Sequence, residues 1–158
     1  MKHLLATTYP MNSSNTNAGG WESSVMKSST MATLLSYLPS DLKSAIKTVK
    51  KNASAGSQST TITTSTDSLF LFSEIEVFGT TINSVAGEGE QYEYFKKFVP
   101  TSSSRIRNLS NGTGSASNWW LRSPYASNST SFCIVHSNGN ASGSYASVSR
   151  GFAFGFCI

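Results

Sequence analysis

A chain of 158 residues is one domain's worth of polypeptide, long enough to bury most of its unfolded surface without metals or staples. Charged residues make up only 13%, so hydroxyls and amides must wet the surface, while three Trp, six Tyr and nine Phe supply apolar area that a disordered chain lacks. The net charge is +4, and its positive residues are scattered, mostly singly, without the clustered stripe that nucleic acid rewards; no apolar run approaches the ~20 residues of a membrane span; and Met1–Pro10 has too short an apolar core for a signal peptide.

Leu4-Leu5-Ala6 suits the end of a strand, and Asn12–Gly20 is a loop. From Trp21 to Leu38, Trp21, Val25, Met26, Leu34, Leu35 and Leu38 recur at helical offsets until Pro39 stops the run. The Ser28-Ser29-Thr30 centre is its weak point. Ser40 is a candidate N-cap for a second helix toward Lys51, with Asp41 at the positive end of the dipole, although Thr48-Val49 equally suits a strand. After the polar loop Asn52–Thr60, the β-branched Thr61–Thr66 favours a strand or hairpin arm, and Leu69–Phe72 a short buried strand. Ser73 with Glu76 has capping-box spacing, so this strand should feed directly into a helical turn ended by Gly79. Glu90–Phe98 has acids first and lysines last, with Tyr94, Phe95 and Phe98 able to face the core. Pro100–Ser117 reads as loop, with Arg105-Ile106-Arg107 as its one extended piece. Strand candidates Asn118–Arg122, Ser131–Ser137 and Phe152–Ile158 follow. Helices first and strands second predict an α+β fold in a single domain, 1–158.

Between Trp119-Trp120-Leu121 and Phe152–Ile158 lies a tract of Ser, Asn, Gly and Tyr, residues that line adaptable binding surfaces at low entropic cost. In Ser131–Ser137, Cys133 and Val135 are expected to face the core, with Ile134 and His136 outward, either as ligand contacts or as the apolar outer face of an ordinary strand. Tyr125 and Tyr145, amphipathic rings in loops, lead the binding candidates. Arg122 needs acceptors for its fork of donors; tying loop carbonyls together is the preferred role, ahead of binding an anion.

Catalysis finds little support. No Asp or Glu follows Glu93, and neither a Gly-x-Ser-x-Gly elbow nor a phosphate-cradling loop is present, so the expectation is a non-enzymatic protein without cofactor. Cys133 and Cys157 sit in apolar runs, either as neighbours across a sheet or as two small buried hydrophobes; reduced, buried and inert thiols are the favoured reading over a bridge. His3 and His136 are not at metal-ligand spacing, and no metal site is expected.

Trp119-Trp120-Leu121-Arg122-Ser123-Pro124, Ser131-Phe132-Cys133 and the closing Gly151–Ile158 resemble the C-terminal half of bacterial and phage C-type-lectin-like domains of the DUF6273 type. Gly20-Trp21-Glu22, Leu38–Lys43, Leu69–Gly79 and Glu88–Tyr94 are similar to the same domains, so the resemblance spans nearly the whole chain, although such domains usually carry another strand or two before the first helix. It implies a lectin-like frame with short helices, then a small antiparallel sheet with long loops. Related domains include the variable proteins of diversity-generating retroelements, in which adenine-directed mutagenesis changes ligand-facing residues on a fixed frame. Randomising adenines in AAC or AAT codons never yields Lys, Glu, Gln, Met or Trp, and after Lys97 the chain has no Lys, Glu, Gln or Met. Its Trp residues there, Trp119 and Trp120, fall in the presumed frame.

The resemblance makes 118–158 the candidate variable region. Its frame would be Trp119, Trp120, Leu121, Arg122, Ser123, Pro124, Cys133, Val135, Gly151, Gly155 and Phe156. The ligand-facing set would be Tyr125, Ser127, Asn128, Ile134, His136, Asn138, Asn140, Ser142, Ser144, Tyr145, Ser147 and Ser149. The Glu-Pro-Asn-like calcium and sugar signature of animal lectins is absent. The expected partner is a protein or cell-surface ligand, with neither nucleic acid nor membrane insertion. Display on a phage particle or bacterial surface is the favoured setting, and oligomers would add avidity. The alternatives are a fixed structural or adhesive module of a bacterial surface protein, or a relative of formylglycine-generating oxidases, which requires an accessible Cys pair.

Overall fold

The computed structural model describes residues 3–110 and 114–158; the side chain of His3 lies outside that set. Strand β1 (His3–Leu4) is followed by a long connection in which Trp21 is fully buried. The expected first helix divides: Met26–Met31, which holds the Ser-Ser-Thr centre, is π-helical, and only Ala32–Tyr37 (α1) is regular. Helix α2 (Ser40–Ala45) stops early, and β-branched Val49 opens strand β2 (Val49–Ser54), so the strand alternative for this stretch is the one that forms. It pairs antiparallel with β3 (Ile62–Asp67).

Strand β4 (Phe70–Leu71) leads directly into α3 (Glu74–Phe78). The capping box forms as its spacing predicts: the Ser73 side chain accepts the Glu76 N–H and the Glu76 carboxylate accepts the Ser73 N–H. Gly79 closes the helix at φ 77°, a left-handed conformation that only glycine adopts at little cost. Helix α4 (Glu93–Phe98) buries Phe95 but leaves Tyr94 and Phe98 outside, Phe98 at 72% exposure, which corrects the reading in which all three rings could face the core. Helix α4 has fewer than two turns, too few to direct three closely spaced rings to one face. A turn, α5 (Ser102–Arg105), precedes β5 (Arg107–Leu109), which sits between β1 and β6 (Ala116–Ser117).

The C-terminal tract builds the central sheet. Its strands are β7 (Trp119–Pro124), β8 (Ser131–Val135), β9 (Ala141–Tyr145) and β10 (Gly151–Phe152), in the order β10-β7-β8-β9; the short β11 (Phe154–Gly155) pairs with β4. Strands β7, β8 and β9 run antiparallel, and β10 runs parallel to β7. The molecule is α+β, with short helices and small sheets.

Both faces of β7 and β8 are covered. One cluster joins Trp120, Phe132, Ile134 and Phe152 to Met11, Trp21 and Met26; the other joins Trp119, Leu121, Cys133 and Val135 to Leu4, Val77 and Phe95. Ile134 is therefore 1% exposed, which corrects its outward placement. The alternation was right, but the long N-terminal connection covers the second face, so neither face of this strand is free. Cys133 and Cys157 are free thiols. Cys133 is buried as expected, and burial raises its pKa well above the ordinary value; Cys157, whose backbone bridges to Lys47, is exposed, contrary to expectation. No helix among the described residues is long and apolar enough to cross a membrane.

Candidate functional site

Beside strand β9, the sheet ends in a cleft of about 420 Å³ between Tyr125, Tyr145 and Arg150. The loop 125–131 forms one wall, fixed by its own chemistry. Asn128 Oδ1 accepts the N–H groups of Thr130 (3.0 Å) and Ser131 (2.8 Å), an Asx turn, and Tyr125 N–H donates to Ser131 O (3.0 Å). Buried Asn17 clamps the loop from below: its Nδ2 donates to Asn128 O (2.9 Å) and Ser131 O (2.7 Å), while its Oδ1 accepts the Ser57 N–H (2.7 Å). Gly143 lets the Tyr125 ring lie against β9, since a Cβ there would stand 2.5 Å from Tyr125 Cδ2. Opposite, Arg150 pairs through its backbone with Tyr9 and donates from Nε to Ser144 Oγ (3.1 Å).

This arrangement brings together five of the twelve expected ligand-facing residues: Tyr125, Asn128, Ser142, Ser144 and Tyr145. Tyr145 is 58% exposed; Ser144 is buried at the cleft wall. Ser127, Ser147 and Ser149 are exposed on adjoining turns, where Ser147 Oγ donates to Asn15 Oδ1 (2.6 Å). His136, Asn138 and Asn140 do not join them. They occupy the opposite end of the β8–β9 hairpin, where Asn140 is about 17 Å from Tyr145 at ~3.4 Å per strand residue. There, Gly139, at φ 84°, packs on the Ser102 carbonyl. Ile134 lies in the core beneath.

Three residues before Tyr125 in the chain, Arg122 centres a buried polar network. Every guanidinium donor is satisfied: Nε to Asn52 O (3.0 Å), Nη1 to Leu71 O (2.8 Å) and Glu76 Oε2, Nη2 to Glu76 Oε1 (2.9 Å) and Glu88 O (2.7 Å). The residue thus ties carbonyls, the preferred sequence expectation, and adds a bidentate carboxylate. Lys51 Nζ lies 3.2 Å from Glu76 Oε1, donates to the Tyr92 hydroxyl and sits 3.9 Å from the Phe70 ring centroid. Burial alone would raise the pKa of Glu76, but Arg122 and Lys51 outweigh it and hold the carboxyl below its usual value.

The adjacent residue, Ser123, accepts the Glu74 N–H (2.9 Å) and donates to Glu88. Burial pushes Glu88 up to about 7, against the lowering effects of Ser123, Ser54 and Arg122. Glu74 accepts the N–H groups of Ile82, Asn83 and Ser84 on one oxygen, each at 2.8 Å. Sequence reading missed Asn17, Lys51, Glu74, Glu76 and Glu88 as partners of this region because they are distant in the chain. The one available signal was the need of Arg122 for a buried acceptor, combined with the capping-box Glu76.

A second hollow of about 440 Å³ borders Lys51, Glu76 and Glu88, but those charges are engaged with one another or with the backbone. Among the described residues no three His, Cys, Asp or Glu side chains converge as a metal would require.

The family described as Domain of unknown function (DUF6273) matches residues 1–157. No curated protein and no solved structure matches the chain.

Proposed function

The chain belongs to the DUF6273 family, and we propose that it is a non-enzymatic ligand-binding protein of C-type-lectin-like architecture that presents a variable surface, as a retroelement-diversified protein does. The observation that carries this reading is the division of labour in 118–150. Trp119, Trp120, Arg122 and Cys133 are locked in two hydrophobic clusters and the buried network, whereas Tyr125, Ser127, Ser142 and Tyr145 gather at one accessible end. Side chains at Ser127, Ser142 and Tyr145 can change without disturbing what lies beneath, whereas the Tyr125 ring also packs on the edge of the second cluster. Tyr125 and Tyr145 supply broad, low-entropy contact area, and the hydroxyls and amides adapt to differing partners.

The absence of Lys, Glu, Gln and Met after Lys97 supports adenine-directed variation as the source of that palette. Sequencing the encoding locus tests this part: a near-repeat of the segment encoding 118–150 that differs at adenines, beside a reverse-transcriptase gene, is expected. A locus with neither would sink the diversification claim. The binding claim is tested separately by displaying a library varied at Tyr125, Ser127, Ser142 and Tyr145. Folded binders to unrelated protein targets should emerge, and a library that folds yet yields none would contradict it.

A further inference from the structure

Strand β9 is the outermost strand of the central sheet, paired only with β8. Hydrogen-bonded pairs alternate in an antiparallel ladder, and the ladder is fixed at both ends by Ala146 N–H donating to Thr130 O (2.9 Å) and His136 N–H donating to Asn140 O (2.8 Å). Ser144 and Ser142 therefore bond inward to Phe132 and Ile134, and the peptide groups of Ala141, Gly143 and Tyr145 point away from the sheet. The Tyr145 carbonyl closes a turn onto Val148 N–H (3.0 Å); the other outward groups of these residues have no hydrogen-bond partner among the described residues.

Among the described residues nothing guards this edge. Ala141–Tyr145 carries no Lys, Pro or inward charge, the usual devices that keep an edge strand from pairing. The edge instead opens into the cleft of Tyr125 and Tyr145, and Arg150 stands at its end outside every ion pair of the described residues.

We propose that the open edge of β9 takes an extended, acidic peptide segment of a partner protein as a fifth strand, with Arg150 receiving a carboxylate of that segment. This deepens the binding-surface reading and rests on it. Backbone pairing supplies affinity that survives changes in the surrounding side chains, which a variable surface needs, while the cleft and Arg150 select the side chains. A second copy of this chain is the poorer occupant, because it would bring another Arg150 and no Asp or Glu from its own residues 94–158.

The test uses three probes: a short peptide alternating Val or Thr with Glu, its Gln counterpart, and the Glu peptide N-methylated at alternate residues. Amide exchange of the whole protein is followed by NMR. The Glu peptide should slow exchange at Ala141, Gly143 and Tyr145. The Gln counterpart and the Arg150→Gln variant should each weaken binding about tenfold without adding to one another, as expected for one charge-assisted contact. Ala141→Pro, which removes an outward N–H and leaves the β8 ladder intact, should weaken binding at unchanged Tm. Equal binding of the N-methylated peptide would overturn strand addition while leaving a surface read by side chains standing. Protection of the same three amides by raised protein concentration alone would assign the edge to self-association instead. No protection at millimolar peptide would also overturn the proposal.

Discussion

Arg122 ties four segments of chain to one guanidinium, and the cost of losing it is set by what is left behind. Arg122→Lys keeps a charge but supplies three donors from one point where five were used in a fixed fork, so at least two of the five acceptors on Asn52, Leu71, Glu76 and Glu88 lose their partner. Urea unfolding should show a loss of about 3 kcal/mol or more; a loss under 1 kcal/mol would mean that the network is incidental. Glu88 and Glu76 pull stability in opposite directions with pH. Glu76, held below its usual value, stabilises the fold above about pH 4.5, and that contribution disappears as the pH falls through its lowered pKa. Glu88 binds its proton more tightly folded than unfolded, so stability falls as the pH rises from about 4.5 to about 7 and then levels. Glu88→Gln should flatten Tm across that upper window relative to the parent, and an unchanged slope would show that Glu88 does not titrate there. None of this coupling could be located in the sequence: it showed that Arg122 needed acceptors, but pairing residue 122 with 52, 71, 76 and 88 depends on long-range closure.

At the level of elements, legibility followed the locality of the cause. Helix α3 was readable because Ser73, Glu76 and Gly79 specify both its ends within seven residues. Ser73→Ala should cost about 1 kcal/mol in thermal unfolding, and no change would contradict the role assigned to the cap. Strand β9 was invisible as Ala-Ser-Gly-Ser-Tyr, which has neither β-branched residues nor an apolar alternation; β8 beside it and the loop at 125–131 make it a strand. Its Gly143 can be tested directly. Gly143→Ala forces the Tyr125 ring aside, so crystallography or NMR should show the ring displaced from β9 and the cleft reshaped with little change in Tm. An unmoved ring would contradict the close approach. The π-helical turn at Met26–Met31 was legible only as a weak centre in a helical pattern.

Across the whole molecule, the sequence showed the anchors and the palette but not how many layers would cover the sheet. Counting alternation in β8 assigned one face to solvent; the long connection carrying Met11, Trp21 and Met26 claimed that face, and Ile134 moved from surface to core with it. The hairpin then separated His136, Asn138 and Asn140 from Tyr145, because four strand residues stand between Asn140 and Tyr145. What remains of the proposed surface is a smaller set of residues gathered at one end of a buried frame. The most direct measurement is a library randomised together at Ser127, Ile134, Ser142, Tyr145 and Ser149, displayed, selected only for folding and sequenced. Ile134 should return almost wholly as large aliphatic residues while the other four positions accept polar, aromatic and charged side chains alike. Equal tolerance at all five positions, or equal restriction, would contradict a frame that is independent of its surface.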